Sequence, residues 1–269
     1  MGKGKIRMPA TYAHYLFGKK VYRKLPKELR LLIRNNREGY FLGLHGPDLL
    51  FYYRPLGKNR INQMGSLMHH ELASDFFENS RGVYQQHPKP VLLSYLLGFI
   101  CHFTLDSECH PYISRYMENY GVSHSDIETE LDRALMEKEG KDPRTWNYTW
   151  HLRGNRQTQE AIASVLKGVT VRQVDESIRE FSWVIRFFQG PGQKKEHLLR
   201  FLFGLIGQRA YFGGMLMTGR THIKCEASNS FLEQRLEDAV ETAVALIEEY
   251  TDKIETQQAL SRRFMRDFE

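Results

Sequence analysis

The chain has 269 residues, 41% of them hydrophobic and 26% charged, with a formal net charge of +6 and a pI near 9.1. This is the composition of a soluble globular protein with room for a sizeable core, and the basic balance suits phosphate-bearing or acidic partners without choosing among them. Three cysteines, Cys101, Cys109 and Cys225, exclude a disulfide framework: the first two fall on one predicted helix, about 12 Å apart and beyond disulfide reach. A reducing, cytoplasmic setting is therefore expected.

The N-terminus, MGKGKIRMPATYAHYLFG, lacks the continuous apolar stretch and small-residue cleavage site of a signal peptide. In PATYAHYLF (9–17), Pro9 and Thr11 mark a helix start, and His14 lies among aromatics. Residues 19–37 hold eight Lys or Arg against the single acid Glu28. KELRLLIRNN within that stretch is amphipathic, as expected of a solvated helix face rather than a lipid anchor. GLHGPDLLFYYRP (43–55) has the Gly and Pro punctuation of a loop, with His45 and Asp48 in it and Phe51, Tyr52 and Tyr53 after. Residues 56–64 are expected to be a mobile polar loop. A helix is predicted from about Ser66, carrying His69 and His70 in its first turns and Phe76 and Phe77 later.

Residues 90–110 form an apolar helix pattern in which Leu92, Leu93, Leu96, Phe99, Ile100 and Phe103 recur at helical spacing. His102, Asp106 and His110 interrupt it at intervals of four, which stacks them on one side of the helix. After a tyrosine-rich link, His124 and Glu128 repeat the spacing on a helix expected to run to about Lys138. EKEGKDPRTW (137–146) is a turn-rich break. Helices are predicted at 157–167, 171–188 (introduced by Thr170 with Gln173 three residues on), 194–207 and 229–256. The last begins with Ser230 and Glu233 at capping-box spacing. No alternating strand pattern of useful length is present. The prediction is all-α, a single multi-helix domain over 1–269. The most apolar runs, 91–106 and 198–217, are broken by His102 and Asp106 and by Gln208 and Arg209, so no transmembrane segment is expected.

Imidazoles and carboxylates on an apolar helix face need something to offset their desolvation, and a divalent cation would do so. The candidate ligands are His14, Asp48, His69 or His70, His102, Asp106, His110, His124 and Glu128. Nitrogen and carboxylate donors without thiolates favour zinc, with manganese or iron also compatible. Eight ligands exceed one tetrahedral site and suffice for two or three ions if a carboxylate bridges; Asp106, flanked by His102 and His110, is the natural bridge. A shared cluster lowers the pKa of a bridging water, and paired cations suit phosphoryl chemistry. Asp48, on its loop, could orient that water as a base.

The order His14, Asp48, His69/His70, His102-x3-Asp106, His110, His124-x3-Glu128 resembles the zinc-dependent phospholipase C family. That family includes the catalytic domain of glycosylphosphatidylinositol-specific phospholipase D and is related to fungal zinc single-strand nucleases. The resemblance implies one zinc on Asp48, a histidine of the 69–70 pair (His69 by preference), His102 and Asp106. Asp106 would bridge to a second zinc at His14, and a further zinc would sit on His110, His124 and Glu128. It implies Asp48 as the catalytic base and His45 as a structural neighbour. The implied activity is hydrolysis of a phosphate ester, phospholipase C-like, on a small-molecule or lipid substrate through a metal-bridging hydroxide. The alternatives are a nuclease or nucleotidase acting on nucleic acid, and a non-catalytic metal-stabilised binding protein. Phe51, Tyr52 and Tyr53 are expected as helix-packing aromatics, with the lining of a pocket for a headgroup or a base as the alternative. No oligomeric state is predicted.

Overall fold

The computed structural model describes residues 10–205, 207 and 209–269, so the helix-start signal at Pro9 and Gln208, one of the two residues that interrupt the apolar run 198–217, lie outside the described residues. The described chain is all-α. Its helices are α1 (Thr11–Lys24), α2 (Lys27–Asn35), α3 (Arg37–Gly43), α4 (Arg60–Met68), α5 (Ala73–Gln86), α6 (Pro90–Tyr120) and α7 (His124–Lys138), followed by α8 (Arg156–Val165), α9 (Val171–Phe188), α10 (Gln193–Leu205), α11 (Arg209–Gly214) and α12 (Ile223–Lys253). Two 3-10 helices, Gly46–Tyr52 and Arg262–Phe264, complete it. Among the described residues there is no strand, only an isolated bridge between Gln189 and Met217.

α6 is the axis on which the rest is laid. Its 31 residues span about 46 Å at the usual rise, and it is buried from Val91 to Ser107. Among the described residues it alone is long and apolar enough to cross a bilayer, yet 94% of its most apolar window is covered by the protein itself. α3 crosses it at close range because glycines meet there: a Cβ on Gly39 would lie 2.7 Å from the Val91 carbonyl. A Cβ on Gly98 would come within 3.0 Å of Gly43 Cα. α1 and α12 also pack on α6, and α12 and α1 both reach α7. Tyr12, Phe17, Tyr40, Phe77, Phe99 and Phe103 fill the space between them.

Five boundaries differ from the sequence reading. The helix expected from Ser66 through Phe77 is divided: α4 ends at Met68, so His69 and His70 lie at its end and not in a first turn, and extended backbone at Leu72 separates it from α5, which starts at Ala73. The stretch 56–64, expected to be a loop, instead contains the first turns of α4. Asn59 caps that helix by accepting from the backbone N–H groups of Ile61 and Asn62, with Asn62 bonding back. Gly46–Tyr52 winds into a 3-10 helix rather than an open loop. α6 runs through Pro111 to Tyr120, where a tyrosine-rich link was expected, and ends on Gly121 at φ +63°. Pro111 has no N–H to give the Ser107 carbonyl one turn earlier; the Arg266 guanidinium donates to that oxygen instead, at 2.5 Å. Finally, α12 starts at Ile223, so Ser230 and Glu233 are interior residues and not a cap. The Thr170–Gln173 capping box is present, with both of its bonds formed.

Candidate metal centre

Each candidate ligand is delivered by a specific local device. His102, Asp106 and His110 are successive rungs of one face of α6. His14 comes from the first turn of α1, which has no side-chain cap of its own. The buried carboxylate of Asp132 on α7 supplies one, accepting from Tyr12 N at 2.9 Å and Ala13 N at 2.8 Å. Asp48 sits early in the first 3-10 helix, brought against α6 because Gly46 has φ +43° and no side chain to strike the His102 ring. His69 is the C-cap residue of α4. His124 opens α7 immediately after Ser123, whose hydroxyl and Asp126 form a capping box.

Asp106 is the hub. Its Oδ1 lies 3.1 Å from His14 Nε2 and 3.8 Å from His110 Nε2. Its Oδ2 lies 3.1 Å from His102 Nε2 and 3.7 Å from His69 Nε2. Asp48 Oδ1 is 3.1 Å from His69 Nε2, and its Oδ2 is 4.0 Å from His102 Nδ1. At the other end Glu128 Oε1 is 3.0 Å from His124 Nε2 and 4.0 Å from His110 Nε2. The ligand atoms gather into three triads, His14/His102/Asp106, Asp48/His69/His102 and His110/His124/Glu128, each with its donors within 4.8 Å of one another.

The electrostatics match a cluster assembled around positive charge. Burial opposes ionisation of Asp106, yet the surrounding His102, His110 and His14 hold its carboxyl well below the usual range. Asp48 is likewise lowered against burial, by His102 and His69. Burial works against a charged His14, but the Asp106 carboxylate prevails and raises it. His69 is raised in the same way by Asp48. Burial wins at His110, which is lowered, and at Glu128, pushed up to about 8.

The donor set fits zinc. The Nδ1 atoms of His69 and His110 bond the carbonyls of Gly65 at 2.7 Å and Phe268 at 2.6 Å; since a carbonyl only accepts, each Nδ1 carries a proton. In a neutral ring Nε2 is then a bare lone pair, and both face carboxylates. Acceptor against acceptor repels unless a cation lies between them. His14 Nδ1, His102 Nδ1 and Glu128 Oε2 are buried with no hydrogen-bond partner, a cluster of orphaned polar atoms that a folded protein does not ordinarily tolerate. Thiolates do not contribute: burial raises the Cys101 thiol to about 12 and Cys109 further.

The expected residues His14, Asp48, His69, His102, Asp106, His110, His124 and Glu128 thus come together. His70 does not. It is exposed on the turn after α4, because His69 ends the helix and the next residue turns away, so only one of the adjacent pair faces the cluster. Phe51, Tyr52 and Tyr53 are buried. Phe51 stacks on His69 at 5.2 Å and Tyr52 on Phe181 at 4.1 Å, so the triplet is packing and not a ligand pocket.

Sequence reasoning missed two contributors. His151 shares a 2.8 Å Nε2–Nε2 hydrogen bond with His45 behind His14, and burial keeps both imidazoles neutral, His151 down to about 3. The C-terminal residues close over the centre: Phe268 N donates to the His69 carbonyl, and the Phe268 ring packs on His69 and His102. No periodic signal marks either one, since both act across long sequence separations.

Comparison with known proteins agrees with this geometry. The family described as zinc dependent phospholipase C matches residues 13–183, more than half of the chain. No curated protein and no solved structure matches. The matched span runs from the residue before His14 to the middle of α9 and so encloses every residue of the three triads: the chain belongs to the zinc-dependent phospholipase C family.

Proposed function

We propose that the chain is a zinc-dependent phosphoric ester hydrolase that cleaves a phospholipid in the manner of a phospholipase C. Water attacks phosphorus, the bond from phosphorus to the glycerol oxygen breaks, and diacylglycerol leaves with the departing proton restored to that oxygen. The observation that carries this reading is Asp106, a carboxylate held ionised with four imidazoles between 3.1 and 3.8 Å from it. Zinc would be held by Asp48, His69, His102 and Asp106, by Asp106 with His14, and by His110, His124 and Glu128. Bound zinc supplies positive charge that polarises a phosphoryl oxygen and offsets the charge that develops in the transition state.

The chain's own groups do the rest. Asp48 is the proposed base: it is ionised, buried, and on a 3-10 helix that only Gly46 allows to approach so closely. The carbonyls of Gly65 and Phe268 hold the Nδ1 protons of His69 and His110, so both rings present Nε2 to the centre. Burial of all the candidate ligands but His124, which is partly buried, excludes bulk water and strengthens the electrostatic contacts among them.

The test is zinc content by elemental analysis, together with turnover of phosphatidylcholine, a soluble nitrophenyl phosphodiester and single-stranded DNA. Two or three zinc per chain and turnover of the lipid and the soluble ester are expected, falling about 10²–10⁴-fold in Asp48→Asn, the usual weight of a general base. Turnover of DNA alone would move the substrate to nucleic acid. Zinc held tightly with no turnover, and no effect of Asp48→Asn, would make the centre structural.

A further inference from the structure

α10 carries two apolar faces. One, Leu199 and Phe203, is buried, with Phe203 packed on Phe188 and Phe212. The other, Leu198, Phe201, Leu202 and Leu205, points outward, with Phe201 63% and Leu205 69% exposed. This outer face is continuous with α9. Lys195 Nζ lies 4.5 Å over the Phe187 ring and donates to the Phe187 carbonyl at 2.7 Å. Phe187 in turn stacks on Trp183, 58% exposed, at 5.4 Å. Trp183 shares a groove with Leu56, 96% exposed, on the loop that follows the Asp48 helix. A run of exposed Trp, Phe and Leu side chains of this kind marks a contact surface.

Its charge identifies the partner. Lys58, Arg186, Lys194 and Lys195 are exposed along the run. The first three make no ion pair among the described residues. The nearby acids are occupied: Glu180 accepts from Arg54 N at 2.5 Å, Glu176 pairs with Arg54 and Arg172, and Glu196 faces inward on Arg200 and Arg220. An apolar face bearing Trp, Phe and Leu and edged with unopposed lysines is the composition of a helix that lies in a lipid interface. A second copy of this cationic rim would repel the first.

We propose that the outer face of α9 and α10, with the Leu56 loop, is a docking surface for an anionic phospholipid bilayer. α10 lies beyond the span that matches the family. The inference rests on the phospholipid reading only for the purpose that docking serves, since the surface itself is independent of the metal centre.

The test is co-sedimentation of the zinc-loaded chain with vesicles of phosphatidylcholine, with and without 30% phosphatidylserine, with hydrolysis of a soluble phosphodiester measured in parallel. Wild type is expected to bind the anionic vesicles at least tenfold more tightly than neutral ones. Phe201→Ser with Leu205→Ser, and separately Lys194→Glu with Lys195→Glu, should each cut that binding at least tenfold. Circular dichroism and soluble-ester turnover should be unchanged in both. A wild type that turns over the soluble ester but does not bind vesicles overturns the docking surface and leaves the enzyme reading standing. Vesicle binding that both variants retain also overturns it. A dimer in solution that Phe201→Ser with Leu205→Ser dissociates, with no vesicle binding, overturns it in favour of a second copy. Vesicle binding lost in the variants, with no ester turned over by any form, upholds the surface and fails the enzyme reading.

Discussion

Gly46→Ala isolates the contact that sets Asp48 beside α6. A Cβ at position 46 would lie 2.7 Å from His102 Cγ and 2.9 Å from its Nε2, and closer still to Cδ2. Ordinary carbon contacts need about 3.5–4.0 Å, so ring and loop must separate by about 1 Å. The backbone there is left-handed, at φ +43°, which adds about 1–2 kcal/mol for a residue with a Cβ. With the overpacking, at about 1–3 kcal/mol, the total is about 2–5 kcal/mol, a fall in melting temperature of about 5–15 °C for a chain of this size. A displacement of about 1 Å at a ligand also lowers turnover by about 10²-fold. Gly46→Asn separates the two causes, because asparagine tolerates the left-handed region yet still carries a Cβ. Both variants should lose zinc in a competition titration against a chromogenic chelator, with Asn recovering only part of the melting temperature. Full zinc content and turnover in Gly46→Ala, or full recovery in Gly46→Asn, would refute the argument that the close approach to His102 positions the site.

Gly98→Ala should destabilise by about 1–3 kcal/mol through the crossing of α3 on α6. Gly82→Ala, in α5 with nothing within 4 Å of its Cβ, should stabilise by about 0.5–1 kcal/mol; equal effects in chemical denaturation would contradict the packing account. Chelation should lower the melting temperature by about 8–16 °C when zinc had been present at about a thousand times its dissociation constant, and a chelated chain that melts unchanged would show that the cluster needs no cation. His151 sits at about 3 in the folded chain against about 6.5 when unfolded. Between those values the unfolded chain takes up a proton that the fold refuses, so stability is complete above pH 6.5 and declines as pH falls, by up to about 1.4 kcal/mol per unit. His151→Gln should flatten the stability curve between pH 4 and 6 by about that slope, and an unchanged slope would mean that the pair does not resist protonation.

What could be read from the sequence follows from how far each cause reaches. The rungs of α6 and the His124–Glu128 pair were legible because helical spacing is local and polar residues on an apolar stripe stand out. His14 and Asp48 have no such periodic signature; they entered the candidate set as a histidine among aromatics and an aspartate on a Gly- and Pro-marked loop, and the order of ligands along the chain gave them their places in the cluster. The start of α4 was missed because Asn59 caps it with Asn62 rather than with the more familiar Ser or Thr and Glu. Ser230 and Glu233 misled for the opposite reason: the pattern is there, but α12 packs on α6 and α7 well before it and continues the helix through. The passage of α6 through Pro111 could not be read at all, since the donor that replaces the missing N–H sits on Arg266, far along the chain.

That distant donor also has a bearing on biosynthesis. Every candidate ligand has left the ribosome once Glu128 has, but the carbonyl that fixes the His110 proton belongs to Phe268, 158 residues after it. The segment around Arg266 that brings it there is held by backbone bonds to Ala73 and His69 and by the Arg266 side chain on Ser107. During synthesis the donors of the centre therefore all exist well before the Phe268 carbonyl that holds the His110 ring. A chain ending at residue 259 should bind zinc more weakly than the full chain, because it lacks the carbonyl that holds His110 and the Phe268 contacts to His69 and His102; a zinc competition titration of the two would reveal it.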